Sequence, residues 1–229
     1  MASITAKSII DKASNQLFDI PNIKWSRAEL LGWVNVAQRL IVIMQPSSTN
    51  TISIVPLVAG SRQSLPAHAW LLLDILRNYT AATGGAPGRA VRVVSRKLLD
   101  TFDPDWHSAT ATKSVMNYLF DKQDQTAFFV YPPNNGTGFL EVNYSTIPFD
   151  LTAETDVISV PDAYEDAILN YVMFRACSKQ ADFAPGMQLA DGYLTILNNL
   201  LGAKLTAETA NNPNLGLTPQ MADSGGGTS

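Results

Sequence analysis

The densest group of side chains capable of chemistry is Asp103-Pro104-Asp105-Trp106-His107, which places two carboxylates and an imidazole within five residues. This group could in principle hold a divalent cation. Metal sites, however, need a third or fourth ligand that is held rigidly, and no such partner is evident in the sequence. A turn at Asp-Pro with Trp106 packed inward is therefore the favoured interpretation.

The remaining nucleophilic and basic side chains lack the neighbours that catalysis needs. His68 precedes a predicted strand and is interpreted as structural, and Cys177 is the single cysteine, so no internal disulfide can form. An apolar helical stretch surrounds Cys177, which favours a small buried thiol. No serine lies in a G-x-S-x-G elbow, and the glycine-rich residues 84–88 lack the lysine and spacing of a phosphate-binding loop. The sequence predicts no enzyme, no cofactor and no metal site.

Composition favours contacts between proteins over contacts with nucleic acid or lipid. Only 16% of the residues are charged, and the net charge is −4, whereas an average domain is about 25% charged. A weakly charged surface lowers the barrier to self-association, although a soluble monomer stays open on composition alone. The densest basic cluster, residues 89–97, is followed at once by three aspartates, which disfavours nucleic-acid binding. No apolar run approaches a membrane span of about 20 residues, so we expect a protein kept in the cytoplasm or in something assembled there.

Hydrophobic spacing predicts helices at both ends of the chain. Residues 3–18 read as an amphipathic helix, and Ser26 with Glu29 forms a capping box for a second helix that Pro46 ends. A third helix is predicted to start at Pro161, where Asp162 and Glu165 are placed for a capping box. A fourth runs to Gly202, and its predicted buried face carries Leu189, Tyr193, Ile196, Leu197 and Leu200.

In the middle of the chain, apolar and polar residues alternate with the two-residue period of β-strands. Residues 51–56, 71–80, 114–121, 127–132 and 138–147 are predicted strands, with a turn at 60–63 and a short helix at 95–102. The aromatic residues of the predicted hairpin could stack on single-stranded nucleic acid, but a sheet core is favoured because few basic residues accompany them. The predicted class is α+β: residues 1–48 and 160–202 form a helical bundle, into which residues 49–159 insert a small antiparallel β-sheet.

The carboxyl-terminal segment, residues 203–229, has few apolar anchors, among them Leu215, Leu217 and Met221. It buries too little apolar surface to offset its ordering entropy, so it is predicted to be an extended arm that is disordered or ordered by a partner. A solvated tail without a role is the alternative.

Several motifs occur in the order typical of one family. They are Trp25–Gln38, Leu65-Pro66, Arg77-Asn78, Leu99–His107, Phe120-Asp121, Phe129–Pro133, Tyr164–Leu169 and Arg175–Lys179. In these motifs, over roughly residues 3–202, the chain resembles the head-to-tail adaptors of short-tailed bacteriophages, which are also called gatekeepers or tail tubular proteins A.

This resemblance implies a non-enzymatic virion protein at the head–tail interface. It implies a ring of twelve subunits that joins the portal protein to the tail nozzle protein, while genomic DNA passes through the lumen without specific binding. The arm with Leu215, Leu217 and Met221 would then dock on the portal. Trp25, Trp33 and Trp106 are expected to be core or subunit-contact residues. The alternatives are a DNA-associated packaging accessory, which would need one basic patch built from Arg62, Arg89, Arg92 and Arg96, and a non-enzymatic scaffold protein with another partner.

Overall fold

The computed structural model describes residues 3–120, 124–179 and 184–210. In this part of the chain, five α-helices and eight β-strands form an α+β fold, which confirms the predicted class. The helices are α1 Ala6–Gln16, α2 Arg27–Met44, α3 Arg96–Phe102, α4 Glu165–Ser178 and α5 Ala184–Ala210. The strands are β1 Asn50–Pro56, β2 Ala59–Ser64, β3 Ala69–Tyr79, β4 Pro87–Ala90, β5 Arg92–Val93, β6 Asn117–Phe120, β7 Ala127–Asn135 and β8 Phe139–Thr146.

Helices α1, α2, α4 and α5 share one apolar core, because each places a stripe of large aliphatic residues on one face. Its fully or almost fully buried members include Ile9, Ile10, Leu30, Val34, Ile41, Ile168, Val172, Leu197 and Leu201. The backbone N–H groups of Ala6 and Lys7 donate to the carbonyls of Asp156 and Glu154 at 3.0 and 2.7 Å. The first turn of α1 is thereby satisfied by the segment that precedes α4.

The predicted N-cap of α2 is confirmed, whereas the predicted start of α4 differs from the structure. Ser26 caps α2, since its hydroxyl accepts the Glu29 N–H at 3.3 Å. The predicted capping box of Asp162 and Glu165 is wrong, because a 3₁₀ turn at Asp162–Tyr164 shifts the start of α4 to Glu165. The Asp162 carboxylate instead accepts hydrogen bonds from Ser3 and Ile4, which lowers its pKa.

The strands form two four-stranded sheets with a shared core, whereas one small antiparallel sheet was predicted. The first sheet has the order β1-β8-β3-β4 and the second β2-β7-β6-β5, and the β5–β6 pair is parallel. Residues 60–63, predicted as a turn, lie in β2 and pair with β7. The sequence of β2 is polar and has no apolar alternation, so pairing with a distant strand, not propensity, makes it a strand. The shared core contains Val55, Leu72, Ile75, Tyr118, Phe128, Val130, Leu140, Val142 and Tyr144.

The aromatic hairpin of β6 and β7 contributes to two cores. Tyr118 and Phe128 point between the sheets, whereas Phe129 and Tyr131 lie on the opposite face and pack with Trp106 and Leu99 of the α3 region. Because successive side chains of a strand point to opposite faces, β6 and β7 place buried aromatic rings on both faces of the second sheet. These rings serve packing, as the favoured interpretation of the sequence had it.

Helix α5 differs from the prediction in its length and in its buried face. It continues to Ala210, so the first eight residues of the predicted arm are helical. Leu197, predicted as buried, faces the core together with Leu201, whereas Leu189, Ile196 and Leu200, also predicted as buried, are exposed. The predicted stripe was placed about one quarter of a turn from the observed one.

A fully buried amide in the sandwich replaces ladder hydrogen bonds at the end of β7. The Asn134 side-chain NH₂ donates to the carbonyls of Thr112 and Lys113 at 3.1 and 2.9 Å. Its side-chain oxygen accepts the N–H groups of Gly136 and Gly138 at 2.8 and 3.2 Å. One side chain thus satisfies four backbone groups.

We expect Asn134→Ala to lower the free energy of unfolding by about 3 kcal/mol, because it leaves buried backbone groups without partners. Asn135→Ala is the matched control. Its exposed amide oxygen accepts only from Thr137, and it should cost less than about 1 kcal/mol. Urea unfolding of the three proteins measures both values, and equal losses would contradict the role assigned to Asn134.

Candidate functional site

The loop between α1 and α2 presents three large apolar side chains to solvent. Phe18, Ile20 and Ile23 are 95%, 71% and 86% exposed. Single exposed apolar residues are ordinary on a protein surface, but three within six residues form a patch typical of contact sites. We call residues 18–23 the apolar loop.

The carboxylate of Asp19 fixes the shape of the apolar loop. It accepts the backbone N–H groups of Ile23, Lys24 and Trp25 at 3.0, 2.9 and 2.9 Å. These hydrogen bonds, that of Trp25 first, hold the pKa of Asp19 below its ordinary value. The carboxylate of Asp19 thus links the start of the loop to the backbone at its end.

A second set of hydrogen bonds ties the apolar loop to both flanking helices. The Asn22 side-chain NH₂ donates to the hydroxyl of Ser14 at 2.6 Å, and that hydroxyl donates to the carbonyl of Ile10 at 2.9 Å. The Arg27 guanidinium donates to the Asn22 side-chain oxygen at 3.2 Å. The loop is therefore anchored at its middle as well as at its ends.

Two residues of the apolar loop have left-handed backbone conformations, Phe18 with φ 53° and Asn22 with φ 54°. Asparagine adopts this region readily, but a bulky phenylalanine does so at a cost of roughly 1–2 kcal/mol. The hydrogen bonds of Asp19 offset that strain. The exposed side chains are consequently held in place before any partner binds, which lowers the entropy lost on contact.

The three tryptophans named in the sequence analysis lie in two places. Trp25 is 3% exposed and packs against the partly exposed Trp33, with ring centroids 5.9 Å apart, beside the ammonium groups of Lys24 and Lys179. Trp106 is 1% exposed and belongs to the α3 region. The structure therefore brings Trp25 and Trp33 together at the base of the apolar loop and separates them from Trp106.

Within the Asp103–His107 segment, the side chains of Trp106 and His107 make structural contacts. The Trp106 indole N–H donates to Asp100 at 2.8 Å, and its ring stacks on His107 at 3.6 Å between centroids. His107 Nδ1 lies 2.7 Å from the Ser61 hydroxyl. Within the described residues, no group of three or more His, Cys, Asp or Glu side chains could hold a metal ion.

Cys177 and His68 also have structural surroundings in the described part of the chain. Cys177 is buried on α4, and burial raises the pKa of its thiol. His68 has φ 71° and packs its ring against Phe149 at 4.6 Å. Both residues contribute to packing.

The arginines considered for a basic patch are neutralised in part by nearby carboxylates. Arg96 of α3 lies over the ring of Phe129, with its guanidinium carbon 5.8 Å from the ring centroid, and Arg62 is the cross-strand partner of Phe129. Arg62 pairs with Asp124 at 3.1 Å, and Arg96 with Asp100 at 3.6 Å. A surface of mixed charge results.

The other two arginines lie elsewhere in the sandwich. Arg92 is on β5, at the edge of the second sheet opposite to the β2 edge that carries Arg62, and Arg89 is on β4 of the first sheet. With strands about 4.8 Å apart, the two edges of the second sheet are roughly 14 Å from each other. Arg62 and Arg92 therefore lie on opposite edges of the second sheet.

Leu215, Leu217 and Met221 lie outside the described residues. Hydrophobic periodicity does not predict the apolar loop, although the sequence carries another signal for it. Large apolar residues on both sides of Pro21, with an aspartate and an asparagine between them, fit neither a helix face nor a strand face. Such a pattern indicates a built turn that displays its apolar side chains.

Comparison with known proteins gives one positive result. A family model described as SU10 adaptor protein matches residues 4–216. No curated protein is significantly similar to the chain. The match ends 14 residues beyond Gly202, where the sequence-based resemblance stopped. Among the described residues, no helix combines the length and the apolar character needed to cross a membrane.

We expect Asp19→Ala to destabilise the protein at pH 7 and to open the apolar loop to proteolysis. Because the folded-state pKa of Asp19 is lowered, its contribution is present above the ordinary value of 3.8 and is lost as the pH falls through the folded-state pKa. The difference in unfolding free energy between wild type and variant should therefore shrink at pH 3, as measured by urea unfolding at both pH values. A difference that does not change with pH would contradict this role.

Proposed function

The chain belongs to the SU10 adaptor protein family, the phage head–tail adaptor type, and from this membership we propose that it forms the ring that joins the portal to the tail nozzle in a short-tailed phage. The observation that carries the proposal is the extent of the family match. Residues 4–216 include all the helices and strands described above, so the whole fold belongs to the adaptor type. The protein acts as a structural component of the virion, and its work is assembly.

A ring requires each subunit to contact two neighbours through different surfaces. The exposed side of α5 is suited to one of these contacts. Leu189, Ile196 and Leu200 are exposed there, and Gly192 lies on the same side with nothing within 4 Å of an added Cβ. A glycine inside a helix costs about 0.5–1 kcal/mol relative to alanine. Here it leaves room for a neighbouring element to approach the helix closely.

The net negative charge of the chain is compatible with a channel through which DNA passes without being retained. The net charge is −4, and the arginines on the sandwich are interspersed with aspartates. A strongly basic lumen would retain the genome, because phosphate neutralisation releases counterions and binds DNA at every sequence. Twelve subunits, as the resemblance to gatekeeper proteins implies, would line such a channel without specific contacts to DNA.

The segment that docks on the portal is proposed to begin after α5. Leu215, Leu217 and Met221 remain its candidate anchors, and the helical residues up to Ala210 serve as its base. From Ala210 to Ser229 an extended chain could span roughly 60 Å at about 3.3 Å per residue. Several arms presented by one ring would raise the effective concentration of each next arm.

We expect the full chain, mixed with its portal protein, to form rings that mass measurement and electron microscopy place on the portal. A chain that ends at Ala210 should unfold at the same urea concentration but bind the portal at least about tenfold more weakly, because the multivalent arms are gone. Full-length chains that bind the portal as single subunits would contradict the ring. Undiminished binding by the shortened chain would contradict the arm.

We expect Gly192→Ala to have opposite effects on folding and on assembly. The free energy of unfolding should rise by about 0.5–1 kcal/mol, since alanine is the better helix former, while ring formation should weaken because the new methyl group occupies the contact. Gly202→Ala is the matched control, as it lies on α5 about 80° around the helix from Gly192 at 100° per residue and also has open space around it. If Gly192→Ala forms rings to the same extent as Gly202→Ala, the exposed face of α5 is not a contact between subunits.

A further inference from the structure

The first sheet ends in an edge strand that has little protection against pairing with another strand. β1 lies at the edge of this sheet and pairs with β8 without a bulge. It is seven residues long, carries no charged side chain, and has its proline, Pro56, at the last position. Proteins protect exposed edges with short strands, charged side chains, prolines or bulges, because an unprotected edge recruits other strands.

The other three edge strands of the two sheets are each protected. β2 carries Arg62, and its pairing with β7 contains a bulge. β4 has only four residues, among them Pro87 and Arg89, and β5 has only two, one of which is Arg92. Among the described strands, β1 is thus the edge without such protection, which indicates that another strand covers it.

The backbone groups of Ile52 and Ile54 point towards the open edge of β1. The N–H of Leu57, directly after β1, donates to the carbonyl of Gly138 at 2.9 Å. Because antiparallel strands exchange hydrogen bonds at every second residue, the odd-numbered residues of β1 bond to β8, whereas Ile52 and Ile54 direct their N–H and C=O groups away from it. Ile52 is also 53% exposed. The edge therefore offers two donors and two acceptors to an added strand.

The side chains of β1 define which sequence would pair with it best. Successive side chains alternate between the faces of a sheet, so Ile52 and Ile54 share one face and Thr51 and Ser53 the other. A matching strand should be uncharged and should place two apolar residues, two positions apart, beside the isoleucines, since cross-strand apolar pairs stabilise a sheet.

Residues 214–218, with the sequence Asn-Leu-Gly-Leu-Thr, have this pattern. Leu215 and Leu217 are two positions apart, the segment is uncharged, and Pro213 and Pro219 bound it. A proline cannot donate to a ladder and favours extended backbone at the residue before it, so the two prolines limit a strand to these five residues. The leucines would lie beside the isoleucines of β1, and the other three residues beside its serine and threonine.

Helix α5 passes close to the start of β1. Leu201 accepts a hydrogen bond on its carbonyl from the side chain of Gln45 at 2.6 Å, and Gln45 is five residues before β1. Further along α5, the ammonium of Lys204 lies 3.2 Å from the ring centroid of Tyr164. Pro161, three residues before Tyr164, lines a groove at the start of β1. The chain that follows α5 therefore begins near the open edge.

The chain after α5 is long enough to return to that edge. From Leu201 to Ala210 the helix rises by about 14 Å at 1.5 Å per residue. Residues 214–218 lie four to eight positions beyond Ala210, which corresponds to roughly 13–26 Å of extended chain. A short tether also gives the segment an effective concentration in about the millimolar range. The same chain is therefore favoured as the source of the strand over a separate molecule.

The groove at the start of β1 is suited to the residues that lead to this segment. Its volume is about 320 Å³, and hydroxyl and amide side chains line it, among them Ser48, Asn50 and Ser159. The hydroxyl oxygen of Ser48 is buried and has no hydrogen-bond partner within the described residues. A buried polar atom of this kind indicates a further partner. The neutral amides of Asn211 and Asn212 have the chemistry to supply it.

We propose that residues 214–218 pair with β1 of the same chain in the free protein, as a fifth strand of the first sheet. Leu215 and Leu217 then lie beside Ile52 and Ile54, and the unprotected edge is covered before assembly. The pairing also withholds both leucines from the portal until the portal displaces them. This last consequence rests on the proposed docking of the arm, whereas the pairing itself does not.

Hydrogen exchange of the unassembled protein, resolved by residue, tests the pairing. The N–H groups of Ile52 and Ile54 should exchange at least about tenfold more slowly in the full chain than in a chain that ends at Ala210, because the added strand accepts their hydrogen bonds. The N–H of Ser53 bonds to β8 in both chains and should not change. Full-length Leu217→Lys should exchange at Ile52 and Ile54 as the shortened chain does. Equal exchange in the full and shortened chains, whether fast or slow, would overturn the proposal.

Cross-linking identifies the source of the strand. In a chain with Ile52→Cys and Leu217→Cys, a short bis-maleimide reagent should join the two thiols within one copy, which mass spectrometry detects as a linked peptide pair in a monomer. The native Cys177 is buried. Val93→Cys with Leu217→Cys is the matched control, since Val93 is a β-branched residue, 67% exposed, on the edge strand β5 of the other sheet. This control should give no link.

The remaining outcomes separate the pairing from its alternatives and from the proposed function. Covalent dimers from a mixture of Ile52→Cys chains and Leu217→Cys chains would assign the strand to a second copy and overturn pairing within one chain. Rings on the portal together with equal exchange in the full and shortened chains would overturn the pairing and leave the proposed function intact. Slow exchange in the full chain alone, with no ring on the portal, would overturn the proposed function and leave the pairing intact.

Discussion

The guanidinium of Arg27 connects α2 to α1, to the apolar loop and to the segment before α4. The helical core and the apolar loop both depend on these connections. The guanidinium donates to both carboxylate oxygens of Glu154 at 2.7–3.0 Å, to Asp11 of α1 at 2.7 Å and to Asn22 at 3.2 Å. Hydrogen bonds from Arg27 lower the pKa of Glu154. An isolated surface ion pair contributes little to stability, but a bidentate pair within a network fixes geometry. Without it, α1 and the segment before α4 would each lose an anchor on α2.

Hydrogen-bonded polar side chains at chain junctions give this protein its specific shape. Gln45, which is buried, donates to the carbonyl of Leu201 and accepts from the hydroxyl of Tyr164, both at 2.6 Å. It thereby connects the end of α2 to the turn before α4 and to α5, in the way that Asn134 connects loops of the sandwich. The aliphatic cores supply most of the burial, and these amides determine which elements meet.

The sequence predicts the parts of the fold that local periodicity determines. The spacing of Ile9, Ile10 and Ala13 predicts α1, Ser26 marks the start of α2, and the pairing of β6 with β7 is that of the predicted hairpin. The second sheet was missed because β2 gains its structure from β7, more than sixty residues later. The apolar loop was missed because its shape depends on three hydrogen bonds to Asp19, and none of them produces a hydrophobic period.

The contact between the start of α1 and residues 154–156 has a consequence for synthesis on the ribosome. The strands lie in one continuous stretch, so the sandwich is complete in sequence at Thr146, whereas α1 and α2 lack the helices that cover them until α4 and α5 emerge. From Met44 to Glu165, 121 residues are added, which takes about 6–24 s at roughly 5–20 residues per second. During this time the amino-terminal helices have their apolar faces uncovered, although all strands of the sandwich have already been synthesised.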